Sequence, residues 1–147
     1  MTAQVAALQA ALVAEAAASY GYGVVGAHLT GSLEQLAASA LATHTGRADR
    51  LAELLRRDGA RPGPVPPAFA LPFPVTGPAS ALELAEQLED GTAGVYYDLI
   101  GSTANPGLRE FAAEALVDAA GRAARWRAAT GPFDPGVTTS FPGREAP

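Results

Sequence analysis

The sequence predicts an all-α protein: one four-helix bundle made of two antiparallel hairpins joined by a long proline-rich crossover. Three observations carry this. Apolar and small residues recur at alternating steps of three and four in four separate segments, the signature of helices with one buried face. Residues 59–77 concentrate six prolines between two of those segments. Alanine makes up about a quarter of the 147 residues, which favours helix. With 48% hydrophobic and 17% charged residues, the chain is long and apolar enough for one core, and it reads as a single domain over 1–147.

The first helix is expected at about 3–29, with Thr2 as its N-cap and Gly31 near its end. Its stripe runs Val5, Leu8, Leu12, Ser19, Tyr22 and Gly26, and Glu15 falls on that stripe. The second helix, about 33–58, opens on Ser32 with Gln35 three residues on, a capping-box pattern, and stops before Gly59. The third, about 78–102, begins at Pro78, a residue suited to a first turn, with Ser80 and Glu83 offering another box. Asn105 followed by Pro106 opens the fourth, about 106–130, which ends before Gly131-Pro132. The stretch 131–147 reads as an extended tail whose Phe133 and Phe141 dock on the bundle.

The crossover decides the topology. A 25-residue helix is about 38 Å long. The 19 residues of 59–77, largely extended at about 3.1 Å each, reach further than that. The second and third helices can therefore run parallel, with the crossover returning the chain along the whole bundle. Phe69, Leu71, Phe73 and Val75 give it apolar side chains to pack.

Each seam carries polar residues at mid-helix. The second helix offers Leu33, Ala37, Ala40, His44, Arg47, Leu51 and Leu54. The third offers Leu82, Ala85, Glu89, Thr92, Tyr96 and Leu99, and the fourth Leu108, Phe111, Ala115, Asp118, Arg122 and Arg125. Glu15, His44, Glu89 and Asp118 stand roughly ten to thirteen residues from their helix starts, so aligned helices bring them into one layer. Three carboxylates and a histidine are the raw material of a di-metal carboxylate site. Arg47 and Arg122 bring fixed positive charge to the same layer and can take the electrostatic place of cations.

The segments LQAALVAEAAASYGYGVVGAHL, ASALATHTGRADRLAELL, PVTGPASALELAEQLEDGTAGVYYDLI and LVDAAGRAARWR, with a terminal SFPG, resemble a ferritin-like family of unknown function found in high-GC Gram-positive bacteria. The resemblance spans almost the whole chain. It implies a ferritin-like four-helix fold and no assigned reaction. It also implies a histidine after the first-helix glutamate, where this chain has Ala16. The di-iron pattern asks for a lone glutamate on each of two helices and Glu-x-x-His on the other two. Here Leu41 stands where a glutamate would precede His44, and the fourth helix has no histidine.

The expected function is accordingly non-catalytic, with no cofactor and a buried network of Glu15, His44, Arg47, Glu89, Asp118 and Arg122 in place of a complete metal site. The alternative is a metal-binding oxidoreductase holding iron or manganese on Glu15, His44, Glu89 and Asp118. A formal net charge of −5 argues against nucleic acid as a partner. No apolar run is long enough to span a bilayer, and the N-terminus has no signal-peptide pattern. The absence of cysteine excludes thiolate chemistry and fits a cytoplasmic location. Second apolar stripes at Leu84, Leu88, Gly91 and Val95, and at Val13, Ala17, Tyr20 and Val24, predict a homodimer. Trp126, set among Arg122, Arg125 and Arg127, is expected to stack on their side chains.

Overall fold

The computed structural model describes residues 1–131. It contains four helices, α1 (Ala3–Ala27), α2 (Gly31–Arg57), α3 (Pro78–Ser102) and α4 (Pro106–Thr130), and no strand among the described residues. The expected docking of Phe133 and Phe141 lies outside the described residues.

The helix ends follow local chemistry. Thr2 accepts from Val5 N at 3.1 Å, and Asn105 from Leu108 N at 3.1 Å, so both are side-chain N-caps. The other two starts differ from expectation. α2 begins two residues earlier than the Ser32–Gln35 pattern implies: its cap is Thr30, which makes no side-chain cap bond, and the turn is made by Gly31 at φ +63°. Ser80 caps α3 from inside the helix, accepting from Thr76 N at 3.0 Å and Gly77 N at 3.3 Å, without Glu83. α2 stops in a Schellman motif: Gly59 at φ +74° donates to Arg56 O, and Ala60 donates to Leu55 O.

Two apolar clusters hold the bundle. The first joins the start of α1 (Leu8, Leu12), the end of α2 (Leu51, Leu55), the end of α3 (Leu99) and the start of α4 (Leu108). The second joins the opposite ends, with Val25, Ala37, Ala40, Leu84 and Trp126. This pairing makes α2 parallel to α3 and α1 parallel to α4, as two hairpins linked by a full-length crossover require. Along its return the crossover lies on α1. Gln9 clamps it by donating to Arg61 O at 2.8 Å and accepting from Gly63 N at 2.9 Å, and Phe69 meets Tyr20 with ring centroids 6.1 Å apart. Leu71, Phe73 and Val75 then pack on the second cluster.

Close backbone packing joins α1 to α2, α1 to α3 and α3 to α4, which leaves α2 and α4 as the loosely packed side. The surplus apolar stripes are only partly covered inside the molecule: Val13 and Tyr20 stay exposed, while Leu84 is fully buried and Leu88 lies over Gly21, where an added Cβ would come within 2.5 Å of it. A close-packing reason for helical glycine applies there. At Gly23, Gly26, Gly46, Gly91, Gly101 and Gly121 an added Cβ meets nothing within 4 Å.

Candidate functional site

Between the two apolar clusters lies a layer of polar side chains. Glu15, His44 and Glu89 are completely buried. His44 stands at its centre. Its Nδ1 is 2.5 Å from Glu15 Oε2 and its Nε2 is 3.1 Å from Glu89 Oε1, so one imidazole joins carboxylates of α1 and α3. A carboxylate on each ring nitrogen is matched when both nitrogens carry a proton. Burial alone would lower the His44 pKa, but the hydrogen bonds to Glu15 and Glu89 outweigh it and hold it above its ordinary value. Glu89 shows the complementary balance: burial would raise its pKa, while bonds from His44 and Arg122 bring it below the ordinary value.

Two tyrosines complete the layer, placed by a repeated spacing. Tyr22 follows Glu15 by seven residues and Tyr96 follows Glu89 by seven, which keeps each pair on one helix face. Because α1 and α3 are antiparallel, each tyrosine reaches the other helix's glutamate. Tyr22 donates to Glu89 Oε1 at 2.6 Å and Tyr96 donates to Glu15 Oε1 at 2.5 Å. Burial first, and the adjacent carboxylates second, push both phenols far up and keep them protonated. Tyr22 also stacks on His44 with centroids 5.3 Å apart, and accepts from Trp126 Nε1 at 2.7 Å. Trp126 is therefore fully buried and ties the second apolar cluster to this layer.

From α4, Arg122 enters the layer with a side chain 8% exposed and donates through Nε to Glu89 Oε1 at 2.7 Å. Its Nη1 donates to Asp118 Oδ2 at 2.6 Å, and Arg47 Nη2 donates to the same oxygen at 2.7 Å. Asp118 itself is a correction to the sequence reading. Its side chain is 47% exposed and forms a clasp at the rim, because its turn of α4 faces the loose α2–α4 seam. Arg47 is intermediate, 16% exposed, with its guanidinium 6.0 Å from the centre of the Tyr96 ring. Counted with His44 protonated, the formal charges close: the carboxylates of Glu15, Glu89 and Asp118 face His44, Arg47 and Arg122.

The residues read as metal ligands do not converge. His44 spends its two ring nitrogens on different carboxylates, and Glu89 Oε1 already accepts three donors. Among the described residues no group of three or more His, Asp and Glu side chains is disposed to hold one ion. The donor set as arranged does not fit a di-metal centre, since guanidinium and imidazolium occupy the directions from which cations would bind. Tyr22, Tyr96 and Trp126 are the functional side chains that the sequence did not assign to the layer. The legible signal was the shared Glu-to-Tyr spacing of seven on the first and third helices.

A four-helix bundle with one long crossover is a ferritin-like fold, and solved structures share it. A ferritin-like, diiron-carboxylate protein from Bacillus anthracis str. Ames superposes with a TM-score of 0.72 at 20% identity, over 87% of this chain and 95% of that one. A conserved hypothetical protein, rv2844, from Mycobacterium tuberculosis superposes with a TM-score of 0.84 at 32% identity, over 86% of this chain and 96% of that one. Residues 7–146 match the family model described as a domain of unknown function, DUF4439, and the chain belongs to that family. Comparison with curated proteins gives no match.

Proposed function

We propose that this ferritin-like bundle is a non-catalytic structural or interaction module, in which a Glu/His/Arg/Tyr layer takes the place of a di-metal centre. One observation carries the reading: His44 is held between Glu15 and Glu89 while Arg122 donates to the same Glu89 oxygen. A divalent cation entering there would have to displace a protonated imidazole or a guanidinium, each already hydrogen-bonded in a buried site. The competing reading is a carboxylate oxidoreductase binding iron or manganese through Glu15, His44, Glu89 and Asp118. It is favoured by the buried Glu89 Oε2, which has no hydrogen-bond partner among the described residues, and by the likeness in fold to the diiron-carboxylate protein from Bacillus anthracis.

The proposal includes a homodimer, supported by the exposed apolar surface of Val13, Tyr20 and Tyr97. A cytoplasmic location belongs to it as well and rests on composition alone.

Elemental analysis of protein purified without chelator, followed by anaerobic reconstitution with iron or manganese, decides between the two readings. The expected result is far less than one metal per chain and a melting temperature that added metal leaves unchanged, because only an ion that binds the folded state raises it. Stoichiometric metal with a raised melting temperature would overturn the proposal. Light scattering on the same preparation reads the assembly: a dimer mass at micromolar concentration is expected, and a monomer mass removes the dimer.

A further inference from the structure

Away from the charged layer, a cavity of about 320 Å³ opens where α2 ends and α4 begins, on the loosely packed side of the bundle. Leu54, Leu108 and Phe111 give it an apolar wall, while Gln4, Arg57 and Asn105 contribute polar groups. Gln4 and Asn105 are held in place by their own bonds. Gln4 donates to Asp58 and accepts from the Thr103 hydroxyl at 2.5 Å, and Thr103 Oγ1 accepts from Asn105 N at 3.0 Å. Asn105 spends its side-chain oxygen on Leu108 N, which leaves its amide N–H groups as donors.

The charges around the cavity are unequal. Arg50 is paired with Glu53 at 3.0 Å and Asp58 is engaged by Gln4. Arg57 makes no ion pair among the described residues. It is a guanidinium without an ion-pair partner among the described residues, set beside an apolar wall.

We propose that this cavity binds a small amphipathic monocarboxylate, with its apolar part on Leu54, Leu108 and Phe111 and its carboxylate on Arg57 and the Asn105 amide. The planar guanidinium fork matches a carboxylate. This one positive charge, with Asp58 on the same lining, selects a single negative charge and disfavours a dianion such as phosphate. The positive end of the α4 dipole and the negative end of the α2 dipole meet at this cavity and offset each other, so Arg57 and the Asn105 amide supply the attraction. Size sets the upper limit: the volume is at the small end for ligand sites, and at about 30 Å³ per water-sized group it holds roughly ten heavy atoms. This inference is independent of whether the charged layer binds metal.

Octanoate, with an apolar chain and ten heavy atoms, is a suitable probe. The full chain is titrated with octanoate and, separately, with octanol, following backbone amide shifts and heat of binding. One-to-one saturation is expected, with the largest shifts at Leu54, Gly107 and Leu108, and with octanol about tenfold weaker or more. Arg57 is exposed, so Arg57→Ala keeps the fold, which circular dichroism verifies, and should weaken octanoate by about tenfold or more. Leu54→Trp, which fills the cavity, should abolish saturation. No saturation by low millimolar octanoate, equal binding of octanol, unchanged binding by Arg57→Ala, or shifts confined to another part of the bundle would each overturn the proposal.

Discussion

Arg47 and Arg122 share one carboxylate oxygen, yet they differ in what surrounds them. Arg122 has a side chain 8% exposed and supports the fully buried Glu89, whereas Arg47 closes a rim clasp on the half-exposed Asp118. Removing one partner of a buried ion pair strands a charge, so Arg122→Ala should lose about 3–5 kcal/mol. The rim pair is solvent-screened, and Arg47→Ala should lose about 1 kcal/mol or less, including its packing over Tyr96. Urea denaturation of the two variants measures the contrast; equal losses would mean that the layer does not divide into a buried part and a rim. Helical spacing placed both arginines on the correct face but could not tell these environments apart, because exposure at that point depends on how far α2 stands from α4.

At the scale of the element, α1 and α3 approach closely because α1 presents Gly21 where α3 presents Leu88. Both branch carbons and Cγ of Leu88 lie within 3.3 Å of a Cβ placed on Gly21, so moving one methyl group does not clear the space. Gly21→Ala should gain about 1 kcal/mol of helix propensity and lose about 1–3 kcal/mol to overpacking, a net destabilisation. At exposed Gly23 the same change meets no atom within 4 Å and should stabilise by about 0.5–1 kcal/mol. Thermal denaturation of both variants tests this, and a Gly21→Ala midpoint at or above the parent's would refute the close approach. The crossover is the other element with a defined role. Its alternating Leu71, Phe73 and Val75 add an apolar cover to the end of the bundle that holds Trp126, a use legible in the sequence from those side chains alone.

For the molecule as a whole, the charged layer couples stability to pH from both sides. The folded-state pKa of His44 lies above 6.5, so its contribution is complete below that value and is lost as pH rises through the folded pKa. The folded pKa of Glu89 lies below 4.5, so its contribution is present above that value and is lost as pH falls through the folded pKa. Stability from these two groups is therefore greatest between 4.5 and 6.5. Unfolding free energy by urea should be lower at about pH 9 than at about pH 6, each pH unit between the two His44 pKa values contributing about 1.4 kcal/mol. His44→Gln should be less stable at both and lack that slope. A parent protein equally stable at both pH values would show that His44 is not held protonated in the fold.

What the sequence determined by itself was local and periodic. Stripes at steps of three and four, Thr2 and Asn105 as caps, and a proline-rich segment long enough to span a helix specify four helices and one crossover, because these depend on neighbours a few residues away. The similar distances of Glu15, His44 and Glu89 from their helix starts were enough to place them in one layer. Tertiary structure decided what that layer is. Whether carboxylates converge on an ion or are each taken by a cation depends on side chains from different helices, and on a loose α2–α4 seam that admits water to Asp118 and not to Glu89. The reciprocal bonds of Tyr22 and Tyr96 likewise arise only once α1 and α3 lie antiparallel. Periodicity along one helix contains no information about the distance or direction of its neighbours, and the chemistry of this layer is set by both.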